Sequence, residues 1–289
     1  MANGFPGKGV FAVFATAMSF LISTPALAEL GQPRQWQLGF QEAVTPIARQ
    51  IDQFHDFLLI IITVISIFVL ALMVYVGLRF NAKANPKPSK TTHNTTLEVL
   101  WTVVPIIILV VIAVPSFRLL FAQYDFPKAD VTIKAIGNQW YWTYEYPDND
   151  DLTFDAILVE DEDLKPGQPR LLATDNDVVV PVNKNIHVLI TASDVLHNWT
   201  VPAFGVKVDA VPGRVLRTWF RAEKTGMFYG QCSELCGSRH AFMPIAVRVV
   251  TEQEYAAWLE EAKKEFASAP ARPDKTTDSE PARLADLKR

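Results

Sequence analysis

The distribution of apolar residues divides the chain into a membrane-like first part and a strand-rich second part. Two runs, 57–78 and 99–117, contain no charged residue. A helix rises ~1.5 Å per residue, so the first run is long enough to cross the ~30 Å hydrocarbon core of a bilayer. Pro105 and Pro115 would kink the second run, which membrane helices tolerate. We predict a two-helix transmembrane hairpin within residues 29–121, preceded by an exposed polar lead-in over residues 29–50.

The charges beside these runs predict how the hairpin is oriented. The loop 79–96 carries Arg79, Lys83, Lys87 and Lys90 and no acid, and such positive loops stay in the cytoplasm. Residues 1–28 have the pattern of a signal peptide: Lys8, then an apolar stretch, then Ala26-Leu27-Ala28. A third membrane helix is the alternative, but the apolar stretch is short. Both mature ends should therefore lie on the periplasmic side of a bacterial inner (cell) membrane.

From Ala129 onwards the pattern changes to short strands. Apolar residues alternate with polar ones at Val131, Ile133 and Ala135, and β-branched runs at 178–182 and 186–191 flank a turn-forming Asn-Lys-Asn segment. Many short strands with such turns predict an all-β sandwich or barrel over residues 122–268. A capping box at Thr251–Glu254 should begin a helix that packs on the barrel. The composition of residues 269–289 is that of a disordered tail.

Charge separates the two parts as well. The 289-residue chain has a net charge of only −4, which gives no case for nucleic-acid binding. Residues 1–121 carry 8 Lys and Arg against 5 Asp and Glu, a net of +3, and residues 122–289 carry 19 against 26, a net of −7. This asymmetry indicates two environments.

The segment richest in metal-binding chemistry is the loop Gly230–Pro244, which holds both cysteines of the chain. Cys232 and Cys236 are followed by His240 and Met243. Soft sulfur ligands with imidazole favour copper or zinc over calcium or magnesium. A mononuclear blue-copper site needs one Cys, two His and a weak axial Met. The second Cys therefore favours two coppers bridged by two thiolates, with a second His from elsewhere.

Three other interpretations of this loop remain open from the residues alone. Two cysteines in an exported domain commonly form a disulfide. Zinc would need four closed ligands, for which Met is a poor choice. A copper-delivering thiol protein also carries Cys-x-x-x-Cys with a distant His. The tight spacing of His240 and Met243, with His197 available upstream in the segment Asp194–Trp199, favours the dinuclear copper site.

A resemblance to a known family rests on these residues. The loop Gly-Gln-Cys-Ser-Glu-Leu-Cys-Gly-Ser-Arg-His-Ala-Phe-Met-Pro resembles the dinuclear copper A loop of subunit II of cytochrome c oxidase. The similarity extends to Asp194–Trp199 and to Gln139–Tyr146, and it covers the chain from roughly Gln50 to Trp258. It implies a cupredoxin-like Greek-key barrel, in which a strand-end His and the cysteine loop converge at one end.

The resemblance also implies a set of metal ligands: His197, Cys232, Glu234, Cys236, His240 and Met243. The cysteines would bridge the two coppers, and the histidines would be terminal ligands. Met243 would be a weak axial ligand to one copper, and the backbone carbonyl of Glu234 would be the weak ligand to the other. The Glu234 side chain would reach a magnesium site shared with subunit I.

Two further residues take roles from the same resemblance. Trp140 would be the exposed electron-entry side chain for cytochrome c, with Trp142 as the fallback, since an indole offers a haem edge a flat apolar contact. Glu98 would open the K proton pathway into subunit I, as intramembrane acids often mark proton paths. The alternative for Glu98 is that it only complements the dipole at a helix start.

The acidic second part fits a basic partner. Five acids are candidates for a face that docks cytochrome c: Glu145, Asp155, Asp175, Asp194 and Asp209. Charges at the rim of an interface mainly raise the association rate and its salt dependence.

The resemblance implies an oxidase subunit that lies in the membrane with subunits I and III. It would take electrons from cytochrome c, hold them at copper A and pass them to haem a in subunit I, where O2 is reduced to water with proton pumping. The chain has no Cys-x-x-Cys-His for a c-type haem. The alternatives are a membrane-anchored copper chaperone or storage protein, and a copper-free structural subunit with a disulfide.

Overall fold

The computed structural model describes residues 31–266, so the predicted signal peptide and the predicted tail lie outside the described residues. Its three α-helices are α1 (Pro46–Arg79), α2 (Thr95–Tyr124) and α3 (Glu252–Phe266). Its ten strands are β1 (Val131–Asn138), β2 (Tyr141–Tyr146), β3 (Leu152–Ala156), β4 (Val178–Pro181), β5 (Ile186–Ala192), β6 (His197–Val201), β7 (Val206–Ala210), β8 (Leu216–Phe220), β9 (Gly226–Gln231) and β10 (Pro244–Val250).

The two long helices form the predicted hairpin, and each begins at a capping residue. The Thr45 hydroxyl accepts a hydrogen bond from the Ala48 amide, with Pro46 in the first turn of α1. The Asn94 side chain does the same for the Leu97 amide in α2. The apolar stretches of both helices are unburied within the described chain, as expected of helices that face lipid. Helix α2 ends at Tyr124, three residues beyond the boundary predicted at 121.

The strands form the predicted all-β domain. One sheet has the order β3-β2-β1-β5-β8, a second has the order β4-β10-β9, and β6 pairs with β7. The β1–β5 and β4–β10 pairs are parallel and the rest are antiparallel. Strand β2 alternates strictly, so Trp142, Tyr144 and Tyr146 are fully buried in the core between the sheets. The capping box at the start of α3 is also present, because Thr251 and Glu254 bond to each other's amides.

The prediction of an exposed lead-in over residues 29–50 is wrong for two parts of that segment. The Gly31 carbonyl accepts a hydrogen bond from the Tyr229 amide of β9, and residues 44–48 are largely buried against the barrel. The Val44 amide donates to the Ala203 carbonyl, and the Thr45 hydroxyl donates to the Phe204 carbonyl. This packing could not be predicted from the polar side chains of the segment, because most of its hydrogen bonds to the barrel are made by the backbone.

Candidate metal centre

The fold brings His197 and the cysteine loop to the same end of the barrel. His197 is the first residue of β6, and the loop connects β9 to β10. Gly230 at the end of β9 packs against β6, where a Cβ atom would lie 1.8 Å from the Thr200 carbonyl oxygen. Only glycine permits so close an approach of two backbones. The contact sets the start of the loop beside the strand that carries His197.

Five predicted ligand side chains meet at this end. The Sγ atoms of the two cysteines lie 3.9 Å apart. Cys232 Sγ lies 3.8 Å from His197 Nδ1, and Cys236 Sγ lies 3.5 Å from His240 Nδ1 and 3.5 Å from Met243 Sδ. The Glu234 carbonyl oxygen lies 3.3 Å from Cys232 Sγ, while its side chain is exposed. The six donors predicted from sequence are therefore assembled in one place.

This donor set fits two copper ions. Both thiols are free, and their separation far exceeds the ~2.05 Å of a disulfide. A metal–thiolate bond is ~2.3 Å, so one metal can contact both sulfurs at this separation. Each histidine lies nearest a different cysteine, which leaves one imidazole for each of two metals. Thiolate, imidazole and thioether donors suit copper and are poor ligands for calcium or magnesium.

The two thiols ionise unequally. Burial opposes ionisation of Cys232, but the hydrogen bond with His197 and nearby backbone groups outweigh it and lower the pKa of this thiol to about 7. Burial and the neighbouring Cys232 charge raise the pKa of Cys236 to about 12. One thiolate therefore forms near neutral pH, and its charge holds the second proton in place. Binding of positive metal ions supplies the attraction needed to release that second proton.

His197 is fully buried and held in one orientation. Its Nε2 donates to the Asp194 carboxylate at 2.9 Å, which leaves Nδ1 facing Cys232. Burial lowers the pKa of His197, but its bonds to Cys232 and Asp194 outweigh this and raise it. A Cβ atom on Gly137 would lie 2.8 to 3.0 Å from three atoms of the histidine side chain, so the strand β1 backbone closes one side of the imidazole. Such outer contacts fix the orientation of a metal-binding imidazole.

Trp140 lies against the cysteine loop. Its half-buried ring contacts Gly237, the neighbour of Cys236, where a Cβ atom would lie 3.0 Å from the ring. The preceding Gln139 makes two bonds: its backbone amide donates to Asp194 at 2.7 Å and its side-chain amide donates to the Cys236 carbonyl at 2.7 Å. Gln139 and Gly137 were missed as site residues, because an amide and a glycine carry no ligand chemistry in the sequence. Trp142, in contrast, is fully buried, with its ring 6.0 Å from the His197 ring.

The remaining predicted residues lie in three places. Glu98 is in the first turn of α2, where its carboxylate accepts a hydrogen bond from the Asn94 amide. Asp194 and Asp209 lie at the metal end, and Asp209 accepts a bond from Asn198, the neighbour of His197. The other three acids belong to the region of β2 and β3: Glu145 pairs with Lys134, Asp155 accepts a bond from Thr143, and Asp175 accepts one from the Ile157 amide.

Comparisons with known proteins agree with this arrangement. Residues 131–250 match the family described as cytochrome C oxidase subunit II, periplasmic domain, and residues 33–119 match its transmembrane domain. A probable cytochrome c oxidase subunit 2 of Rickettsia bellii is 53% identical over 237 residues, which cover 82% of this chain and 88% of the relative. The cytochrome c oxidase subunit 2 of Cereibacter sphaeroides is 48% identical over 271 residues, covering 86% and 89% of the two chains.

Among solved structures, the periplasmic domain of subunit II of cytochrome oxidase from Bradyrhizobium japonicum is 62% identical, with a TM-score of 0.46, and covers 48% of this chain and 98% of that one. The family matches cover both the helix hairpin and the β domain, so the chain is anchored in a membrane by two helices. Together with the named relatives, these matches show that the chain belongs to the cytochrome c oxidase subunit II family.

Proposed function

We propose that this chain is the electron-entry subunit of its oxidase. It accepts electrons from cytochrome c at a dinuclear copper A centre and passes them to haem a in subunit I. The observation that carries this proposal is the convergence of two free thiols with two imidazoles and a thioether, each of which lies within 3.8 Å of a cysteine sulfur. Relatives of this chain carry the name cytochrome c oxidase subunit 2.

The residues of the chain would hold this centre rigidly. Cys232, Cys236, His197 and His240 would bind two copper ions, with Met243 and the Glu234 carbonyl as weaker donors. The copper ions would supply one-electron redox chemistry. Cys232, Cys236 and Met243 are each at most 5% exposed, so water is largely excluded. Asp194 and the Gly137 backbone keep His197 in place, which limits rearrangement when the charge changes.

Electrons enter at Trp140. Its ring packs on Gly237, one residue from the Cys236 thiolate, and the Gln139 side chain is bonded to the Cys236 carbonyl. The half-buried indole therefore lies between the surface and Cys236, in contact with the residue that follows this ligand. The acids Glu145, Asp155, Asp175, Asp194 and Asp209 steer the basic cytochrome toward this end of the domain.

The other roles concern the neighbouring subunits. The Glu234 side chain would bind a magnesium ion together with subunit I, which its exposure supports. Glu98 opens a proton path into subunit I from the cytoplasmic edge of α2. The helix hairpin packs with subunits I and III in the bacterial inner membrane, and both mature ends and the copper domain face the periplasm. The four basic residues of the loop 79–96 support this orientation.

Replacement of the entry residue tests the electron path. In the purified oxidase complex, Trp140→Gln should slow electron transfer from reduced cytochrome c by roughly tenfold, since the contact between haem edge and indole is lost. The copper absorption spectrum should stay unchanged, because Trp140 is not a ligand. Trp219→Phe on β8 is the matched control and should transfer electrons at the normal rate. A normal rate in Trp140→Gln, with intact copper, would place electron entry elsewhere.

A further inference from the structure

The segment before α1, residues 31–44, forms a loop whose two ends are bonded to the barrel. At one end, the Gly31 carbonyl accepts a bond from the Tyr229 amide at 2.8 Å, and a Cβ atom on Gly31 would lie 2.3 Å from the Met227 carbonyl oxygen. At the other end, the Val44 amide donates to Ala203 at 3.1 Å and the Val44 carbonyl accepts from Glu223 at 2.9 Å. Residues 32–43 therefore form a closed loop with a defined base.

The tip of this loop extends along α1 toward the membrane. The barrel edge meets α1 at Ala48, where a Cβ on Gly205 would lie 2.9 Å from the Ala48 Cα atom. The tip residue Phe40 instead packs on His55, with 4.8 Å between the ring centroids. Seven residues of helix separate these two contacts, about 10 Å of rise. His55 lies two residues, about 3 Å, before the charge-free run that starts at Phe57. The tip is therefore at the level where α1 enters the bilayer.

The tip is an ordered turn that presents apolar side chains outward. Gln37 organises it: its amide donates to the Arg34 carbonyl, its Oε1 accepts from the Arg34 amide, and its Nε2 donates to the Phe40 carbonyl. Trp36 and Gly39 have φ angles of 57° and 82°, which bend the backbone at both sides of the turn. Trp36 and Leu38 are each 97% exposed. In water, so much exposed apolar surface on an ordered turn is unfavourable.

We propose that this turn, residues 33–40, is a membrane-interface anchor that inserts Trp36 and Leu38 into the outer surface of a bilayer containing anionic lipids. Indole rings favour the headgroup level, where an apolar body and a polar N–H are both accommodated. Arg34 is the only charged residue in 31–41, so the turn carries one positive charge, which anionic headgroups attract. Insertion of Trp36 and Leu38 into the bilayer interface removes the unfavourable free energy of exposing these apolar side chains to water.

The anchor gives the barrel a second attachment to the membrane besides the helices. The loop reaches the bilayer from β9 and from the segment before α1, so it restrains tilting of the barrel relative to the membrane. This inference depends on α1 crossing the membrane and is independent of the metal that the barrel binds.

A nitroxide spin label at the tip tests the anchor. The oxidase complex with Trp36→Cys would be labelled in lipid nanodiscs that contain anionic lipid, and its collision rates with oxygen and with a water-soluble nickel chelate would be compared. Oxygen concentrates in lipid, so a label at position 36 should collide more often with oxygen than with the nickel chelate. Thr153→Cys, exposed on β3, is the control and should show the opposite order. Leu38→Cys is the second site if the first variant fails to assemble.

Two results would overturn the proposal. Nickel accessibility above that of oxygen at positions 36 and 38 would place the turn in water. Low accessibility to both reagents would place it against a neighbouring subunit. Neither result would affect the copper assignment, which is measured separately.

Discussion

At the scale of single residues, the site depends on how His197 is held. The imidazole is bonded to Asp194 on one nitrogen, faces Cys232 with the other, and is closed off by the Gly137 backbone. At Gly137 the backbone itself lies against the imidazole, so there is no space for a side chain at this position. A close-packed interior transmits such a change directly to its neighbour.

Gly137→Ala should therefore push His197 out of position. The added methyl would lie within 3.0 Å of three atoms of the histidine side chain, and overpacking of this kind costs about 1–3 kcal/mol in the free energy of unfolding. We expect a shifted copper absorption spectrum and a changed redox potential in the folded protein. Gly77→Ala, at a position with open space around it, is the control. Unchanged spectrum and potential in Gly137→Ala would show that His197 is not held in this way.

The unequal thiols predict how copper loading depends on pH. The pKa of Cys232 is lowered to about 7, so its thiolate is present above that pH and is lost as the pH falls through it. Cys236, with a pKa raised to about 12, keeps its proton until metal binds. Copper loading at pH 6 should therefore release more protons per chain than copper loading at pH 8. The copper affinity should be lower at pH 6 than at pH 8. Proton release measured with an indicator dye checks this, and a release that does not vary with pH would contradict it.

Ligand chemistry was visible in the sequence, and packing around it was not. Cys232, Cys236, His240 and Met243 stand out because their spacing is tight and their donor atoms are soft. Gly137 acts because it has no side chain and so lets the backbone approach His197. Gln139 acts through its neutral amide, which is bonded to the Cys236 carbonyl. Such residues gain their role only when another segment approaches, so a single sequence gives no signal for them.

At the scale of elements, the junction between α1 and the barrel connects the membrane part to the metal part. Thr45 is buried there, and its hydroxyl both caps α1 and donates to the Phe204 carbonyl. Arg49 in the next turn forms an ion pair with Glu223, and both side chains are partly exposed. A buried capping group should matter more than an exposed ion pair.

Thr45→Ala should loosen this junction more than Arg49→Met does. Loss of the cap and of the bond to Phe204 costs about 1–2 kcal/mol, whereas the solvent-screened ion pair contributes at most about 1 kcal/mol. Amide hydrogen exchange of residues 203–206 and 47–50 should speed up in Thr45→Ala and change little in Arg49→Met. Equal effects of the two substitutions would show that the ion pair holds the junction.

The elements themselves were predicted unevenly. Alternation and β-branched runs indicated β1, β4 and β5, and the charge-free runs indicated both membrane helices. Strands β6 and β9 do not alternate, so their patterns were too weak to predict them. Strand β7 does alternate, from Val206 to Ala210, but it was not predicted. The buried residues 44–48 were missed because a Thr-Pro cap looks the same in water and against a barrel.

At the scale of the whole molecule, the charges of the two parts differ in sign. Residues 122–289 carry a net −7, which would attract a basic electron donor over long range. Asp175→Asn should slow association with cytochrome c by roughly threefold at low salt, and the difference from the wild type should vanish at high ionic strength. Stopped-flow oxidation of the cytochrome over a salt series measures both. A difference that persists at high salt would mean that the substitution acts through structure and not through charge.

Two copper ions held by Cys232 and Cys236 would share one unpaired electron. We would measure the electron paramagnetic resonance of the purified full chain, loaded with copper after reduction of its thiols. We expect a seven-line hyperfine pattern, because one electron couples equally to two copper nuclei. A four-line pattern from isolated copper would point to a copper chaperone, and the absence of a signal together with the absence of free thiols would point to a disulfide. Either result would show that the dinuclear copper centre is absent.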